Sequence, residues 1–362
     1  MKGMTGMKKF EHGGNIYQEN SEKEWLDFSA NINPLGLADN VQQKLQAEIA
    51  SVVNYPEPYG KKLKQAIAVH YNISADEIIA GNGASELLYL FFQTERPRRV
   101  LIPVPAFSEY ERAALSARCK VNYFSLAAEN DFRFDWNKLI GVLPVTDCII
   151  LGNPNNPTGT LITRNELVHL LEEMRGSKTW LVVDESFIDF LQYDTRYTVR
   201  DLVKEYPNLL VIQSLTKFFA LPGLRLGFGV GSPELIERLE QGKDVWSVNS
   251  LAQKAGIAAL TAKEYQQKSR QFVIDESRWL YKELSNIEGV KPIQPSVNFI
   301  LSNIKASGKI SSEVANKMRE YGILIRDCAN YPGLDDSYIR VAVRSRTENC
   351  KLIEALQAVL AK

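Results

Sequence analysis

The 362-residue chain reads as an α/β protein, with a large domain on a mostly parallel central sheet plus a smaller α+β domain. Three observations predict this. Short continuous apolar runs alternate with longer amphipathic segments up to residue 230, the pattern of parallel strands covered on both faces by helices. The length asks for roughly two domains at about 150 residues each. After Trp246 the pattern changes to a long helical stretch followed by shorter strands. We draw the large domain at 46–247, and an N-terminal arm plus the small domain at 1–45 and 248–362.

The elements follow in order. Val41, Leu45 and Ile49 recur at helical spacing. Leu87, Leu88, Leu90, Phe91 and Phe92 make a dense apolar helix behind a glycine-containing turn. Residues 100–102 read as a strand, 110–115 as a helix, and 121–124 and 148–151 as strands. Residues 167–174 read as a helix, and 180–183, 209–212 and 226–230 as strands. One helical region covers about 250–284, with strands near 299–301, 323–325 and 339–341. Helices near 312–321 and 348–360 complete the chain.

Composition narrows the function. With 45% hydrophobic and 24% charged residues there is material for a large core, so disorder and collagen are excluded. Lys plus Arg and Asp plus Glu both total 43, and a neutral chain is not expected to bind nucleic acid through bulk charge. Cys119, Cys148, Cys328 and Cys350 are far apart, and only three histidines occur, so neither a disulfide framework nor a metal centre is expected. No apolar run approaches the ~20 residues of a membrane span, and the charged opening has no apolar stretch behind it. A cytoplasmic protein is the expectation.

Four clusters carry chemistry. Ser214, Thr216 and Lys217 follow a strand, with Arg225 close behind in Gly223-Leu224-Arg225-Leu226-Gly227. An apolar setting lowers an ammonium's pKa and frees an amine to attack a carbonyl, while the hydroxyls and the guanidinium suit a phosphate. For a lysine alone, a solvated amine is the alternative; the combined spacing argues for function. Asp184 ends the run 180–184, where open α/β sheets place ligands, and there it holds a protonated ring nitrogen or caps a loop. Asn156, in Asn153-Pro154-Asn155-Asn156-Pro157-Thr158-Gly159, aims an amide into the crevice or merely completes a tight turn. Gly81-Asn82-Gly83-Ala84-Ser85 opens a helix, a setting for an anion or an ordinary helix start.

Together these supply an amine nucleophile, a phosphate cradle, a ring-nitrogen acid and an amide donor, the set pyridoxal phosphate requires. In that chain order the segments 153–159, 182–186 and 214–227 resemble the fold-type I pyridoxal-phosphate-dependent aminotransferase family. The resemblance implies that Lys217 binds the cofactor covalently, Asp184 holds its ring nitrogen and Asn156 its ring oxygen. It implies a phosphate cradle of Gly83, Ala84, Ser85, Ser214 and Arg225, and Phe107 stacked on the ring. Tyr55 resembles the tyrosine that reaches the phosphate of the neighbouring subunit, which implies a homodimer. Many family members carry Tyr three residues after the ring-nitrogen Asp; here that residue is Phe187.

The segments 12–15, 28–36 and 325–334, with Arg340, bear on the substrate. Arg326 and Arg340 offer forked donors suited to carboxylate and phosphate, or make surface salt bridges. These segments resemble the threonine-phosphate decarboxylase branch of the family, which serves cobalamin biosynthesis and is similar to histidinol-phosphate aminotransferases. That resemblance implies a lyase that converts L-threonine O-3-phosphate to (R)-1-aminopropan-2-yl phosphate and carbon dioxide. His12, Gly13, Asn31, Asn156, Arg326 and Arg340 would contact the substrate. The alternative is a histidinol-phosphate or related aminotransferase using 2-oxoglutarate and glutamate.

Overall fold

The computed structural model describes residues 10–17 and 24–361. The charged opening, residues 1–9, lies outside them. β1 (Leu26–Asp27) stands apart from the main sheet. The main sheet contains β2 (Ile78–Gly81), β3 (Arg99–Val104), β4 (Lys120–Ser125), β5 (Cys148–Gly152), β6 (Trp180–Asp184), β7 (Leu209–Ser214) and β8 (Gly227–Val230). Its order is β2-β8-β7-β6-β5-β3-β4. β5 and β7 are buried at every position, as strands covered on both faces must be.

Every ladder of this sheet is parallel except the two on β8. Residues 215–226 explain the exception. They hold one short 3-10 turn, Pro222–Leu224, and no crossover helix, so the chain returns antiparallel.

The smaller body has a four-stranded antiparallel sheet. β9 (Lys291–Pro292), β10 (Phe299–Asn303), β12 (Arg326–Asp327) and β13 (Tyr338–Ala342) lie in the order β12-β13-β10-β9, and β11 (Ile323–Leu324) pairs in parallel with β1 instead. This pairing ties the early chain to the C-terminal part.

The apolar runs located most of these strands. β2 escaped because its four residues read as the approach to the glycine turn. The helical region over 250–284 is two helices, Ser250–Thr261 and Lys263–Ser285. Ala262 leaves the helical region (φ −79°, ψ 63°) and its N–H bonds the Ala259 carbonyl, which ends the first helix. The break has a packing consequence. Ala252, Ala255 and Ala259 join the core under the large sheet, whereas Leu280 and Leu284 pack with Phe28, Ile300 and Val341 in the small one. The Ser250–Thr261 helix thus packs with the larger body, on the far side of the boundary drawn at 247. Among the described residues no helix is long and apolar enough to cross a membrane.

Candidate active site

The parallel strands β3, β5, β6 and β7 end along one edge, and the cavity lies there. It measures about 370 Å³ and is lined by groups from both bodies, among them Lys217, Asp184, Asn156, Phe107, Asn31 and Arg340.

Lys217 follows the end of β7. Its turn is fixed from the N-terminal side: Asn33 N–H donates to the Lys217 carbonyl (3.0 Å), and Asn33 Nδ2 donates to Phe218 O (2.7 Å) and Ser269 Oγ (2.8 Å). Burial pushes the Lys217 amine down to about 8, and the guanidinium groups of Arg340 and Arg225 add to the shift. Asp184 ends β6. Its carboxylate accepts from Tyr110 Oη (2.8 Å) and from the Ser186 backbone N–H (2.9 Å). Burial nevertheless pushes this carboxyl upward, against the opposing pull of those bonds and of Lys217.

After β5, Asn153 and Asn155 pin the loop: Asn153 Nδ2 bonds Ile162 O (2.9 Å), and Asn155 Nδ2 bonds Pro105 O (3.0 Å). Asn156 faces the cavity and accepts a bond from Arg340 Nη1.

The start of the Ala84–Glu95 helix, Ser214, Thr216 and Arg225 form a cradle of donors. Two glycines permit it. Gly83 has φ +84°, and a Cβ there would stand 2.5 Å from Arg225 Nη2. A Cβ at Gly227 would stand 2.5 Å from the Ala84 backbone nitrogen. The first-turn N–H groups of a helix attract an anion, and the guanidinium beside them reinforces that.

Arg326 and Arg340 are register partners on adjacent strands. Directly opposed like charges destabilise a sheet, so each needs acceptors. Arg340 Nη2 bonds Ser29 O (2.9 Å), while Arg326 Nη2 bonds Glu11 O (2.7 Å) and Asn330 Oδ1 (2.6 Å). The arm passes over this corner, where Gly14 N–H donates to Ser29 Oγ (2.7 Å). A Cβ at Gly13 would stand 2.1 Å from Ser29 O, so only glycine allows this approach.

The fold therefore brings together Lys217, Asp184, Ala84, Ser85, Phe107, Asn156, Ser214, Arg225, His12, Gly13, Asn31 and Arg340 as cavity-lining residues. Three anticipated residues stand outside the lining. Gly83 backs Arg225. Tyr55 is 80% exposed and packs on Trp246, with ring centroids 4.9 Å apart. Arg326 holds the arm's Glu11 carbonyl, beside His12. Sequence reasoning passed over Tyr110, Glu109, Arg112 and Tyr331, which also line the cavity. Tyr110 follows Phe107 by three residues, one helical turn, which was the available signal.

The family model for class I and II aminotransferases matches residues 23–358. The chain belongs to that aminotransferase family. A protein of Caldanaerobacter subterraneus, provisionally named threonine-phosphate decarboxylase, is 40% identical over 99% of this chain and 96% of its own. The threonine-phosphate decarboxylase of Salmonella typhimurium is 36% identical over 96% of each chain. The structure of histidinol-phosphate aminotransferase from Clostridium acetobutylicum superposes with a TM-score of 0.86 at 30% identity, covering 92% of this chain and 98% of that one. The structure of L-threonine-O-3-phosphate decarboxylase from Porphyromonas gingivalis superposes with a TM-score of 0.81 at 28% identity, covering 92% of this chain and 99% of that one, so the fold of this aminotransferase-family member is similar to those of enzymes of two different reactions.

Proposed function

We propose that the protein is a pyridoxal-phosphate-dependent lyase that decarboxylates L-threonine O-3-phosphate to (R)-1-aminopropan-2-yl phosphate and carbon dioxide, in cobalamin biosynthesis. The observation that carries this reading is full-length identity of 36–40% to proteins named for that activity, joined to a cavity that gathers anion-binding groups from both bodies. The aminotransferase alternative has less support, because overall superposition reports the shared fold and the sequence identity to its representative is 30%. A homodimer in the cytoplasm completes the proposal. The exposed apolar side chains Ile49, Val52, Val53, Tyr55 and Trp246 support a second copy.

The residues fit the cofactor. Arg340 Nε and Asn31 Oδ1 are buried with no partner among the described residues, as befits a site built for a ligand. Lys217 would hold the cofactor covalently, Asp184 its ring nitrogen, Asn156 its ring oxygen, and Phe107 its ring face. Ala84, Ser85, Ser214 and Arg225, backed by Gly83, would hold its phosphate, with Tyr55 reaching the neighbouring subunit's site. When bound, pyridoxal phosphate supplies an electron sink for the pair left behind when a bond at Cα breaks.

The reaction replaces the Cα–carboxylate bond with a Cα–hydrogen bond. Carbon dioxide leaves, and one proton must arrive at Cα. Lys217 Nζ is the proposed donor, since an amine depressed to about 8 both gives and takes a proton near neutrality. Asp184, a buried carboxyl that accepts from Tyr110 Oη and the Ser186 N–H, would pair with the protonated ring nitrogen of the bound cofactor. His12, Gly13, Asn31 and Arg340 orient the phosphate and carboxylate of the substrate, and that orientation decides which bond breaks. Arg326, proposed as a substrate contact with them, also holds the arm through the Glu11 carbonyl. The test supplies L-threonine O-3-phosphate with no keto acid. Carbon dioxide should evolve at a sustained rate; turnover only in the presence of 2-oxoglutarate would reject the decarboxylase assignment.

A further inference from the structure

Glu109 is an anomaly in a cavity that gathers cations for phosphate. It is the second residue of the Ser108–Ser116 helix, lines the cavity, and is 7% exposed. A carboxylate there repels an incoming anion unless its charge is already committed. It is committed on both oxygens. Oε1 is 2.8 Å from His12 Nε2 and accepts from Arg112 Nη1 at 3.3 Å, while Oε2 accepts from Tyr89 Oη at 3.2 Å. Burial alone would raise this carboxyl, but His12 and Arg112 outweigh it and hold it below the usual carboxylate range.

An acid in a helix's first turn often only complements the helix dipole. That role needs no burial and no convergence of three donors from three segments. The connection also spans two bodies. The helix of Glu109 packs on the large sheet, whereas the arm of His12 is held at the small sheet by Arg326, through Glu11 O, and by Ser29, through the Gly14 N–H. Glu109 is thus the large-sheet end of a latch across the cavity mouth. With Nε2 turned to Glu109, the Nδ1 edge of the imidazole has no partner among the described residues.

We propose that Glu109 is a positioning residue: it latches the arm and aims His12 and Arg112 at the phosphate group of the substrate. Arg112 is thereby a phosphate contact that the sequence did not single out. The inference rests on the decarboxylase reading for the identity of the substrate, but the latch itself is independent of it.

The test compares wild type with Glu109→Gln, Glu109→Asp, His12→Ala and the Gln/Ala double variant, all as holoenzyme. Glu109→Gln is expected to raise KM for L-threonine O-3-phosphate about tenfold with kcat within about twofold, and to weaken inhibition by inorganic phosphate in parallel. Glu109→Asp should recover part of the loss. The double variant should be no worse than about twofold beyond His12→Ala, because the two act as a unit. Amide exchange over residues 11–16, measured without substrate, should quicken about tenfold in Glu109→Gln. A fall in kcat with KM unchanged, multiplicative effects in the double variant, or unchanged exchange would each overturn the latch. Wild-type inactivity toward threonine phosphate would instead reject the substrate assignment, and the exchange and phosphate-inhibition arms would still decide the latch.

Discussion

Burying Lys217 has a consequence that can be measured apart from turnover. In the cofactor-free protein its amine titrates at about 8, against an ordinary 10.5. Between those values the unfolded chain binds more protons than the folded one, so folding stability rises with pH across that window. Below pH 8 the penalty is present in full. Lys217→Met should therefore stabilise the cofactor-free protein at pH 7, by up to about 3 kcal/mol, and the gain should shrink toward pH 10.5. Urea unfolding of both proteins at the two pH values checks this. Borohydride followed by peptide mapping should label position 217 in wild-type holoenzyme and leave the variant unlabelled. Asn33 offers a second residue-scale test, since it bonds the backbone next to Lys217 from a 2% exposed position. Asn33→Ala should cost about 1–3 kcal/mol and lower kcat, because the buried Ser269 hydroxyl loses a donor and the Phe218 carbonyl keeps only the long bond from Tyr265 Oη at 3.5 Å.

Among the elements, the contact between the Ala84–Glu95 helix and β8 is decided by glycine. At position 227 an added methyl meets the Ala84 nitrogen at 2.5 Å and the Gln213 carbonyl oxygen at 2.9 Å, both backbone atoms with no room to retreat. Gly227→Ala should cost about 1–3 kcal/mol and push the helix start out of place, weakening cofactor binding by about tenfold or more. A melting scan and a spectroscopic titration with pyridoxal phosphate measure the two effects. This part of the site was legible because its signals are local: a buried strand, then Gly, Ser, Lys or Asp at its end. Less local features were not. β2 is four residues long and merges with the glycine turn, and the break at Ala262 is set by packing on two cores rather than by a helix-breaking residue. β8 reads as one more buried strand, and only the missing crossover helix after β7 reveals its antiparallel direction.

For the molecule as a whole, the sites that define the reaction are assembled from distant segments. Asp184, Asn156 and Lys217 sit at or just beyond neighbouring strand ends, and the chemistry proposed for them follows from residue type and position. For Arg326 and Arg340 the residue type suggests an anion contact but leaves a surface salt bridge equally open, and the substrate roles proposed for them and for His12 rest on resemblance, since a lone His or Arg carries no spacing signal. Glu109 lies 97 residues from His12, and an acid in a helix's first turn looks the same whether it is solvated or latched. Tyr55 belongs to the scale of the assembly. It lies outside the cavity of its own chain, on an exposed apolar stretch that a second copy would cover. Sedimentation should show a dimer, and Tyr55→Ala should weaken pyridoxal phosphate binding without displacing any residue of its own chain's cavity. The most direct test of the whole account is turnover of L-threonine O-3-phosphate in deuterium oxide with no keto acid, followed by mass spectrometry. The account predicts an aminopropanyl phosphate that has lost its carboxyl group and carries a single solvent deuteron on the carbon that bore it. A product that keeps its carboxylate, formed only when 2-oxoglutarate is converted to glutamate, would contradict it.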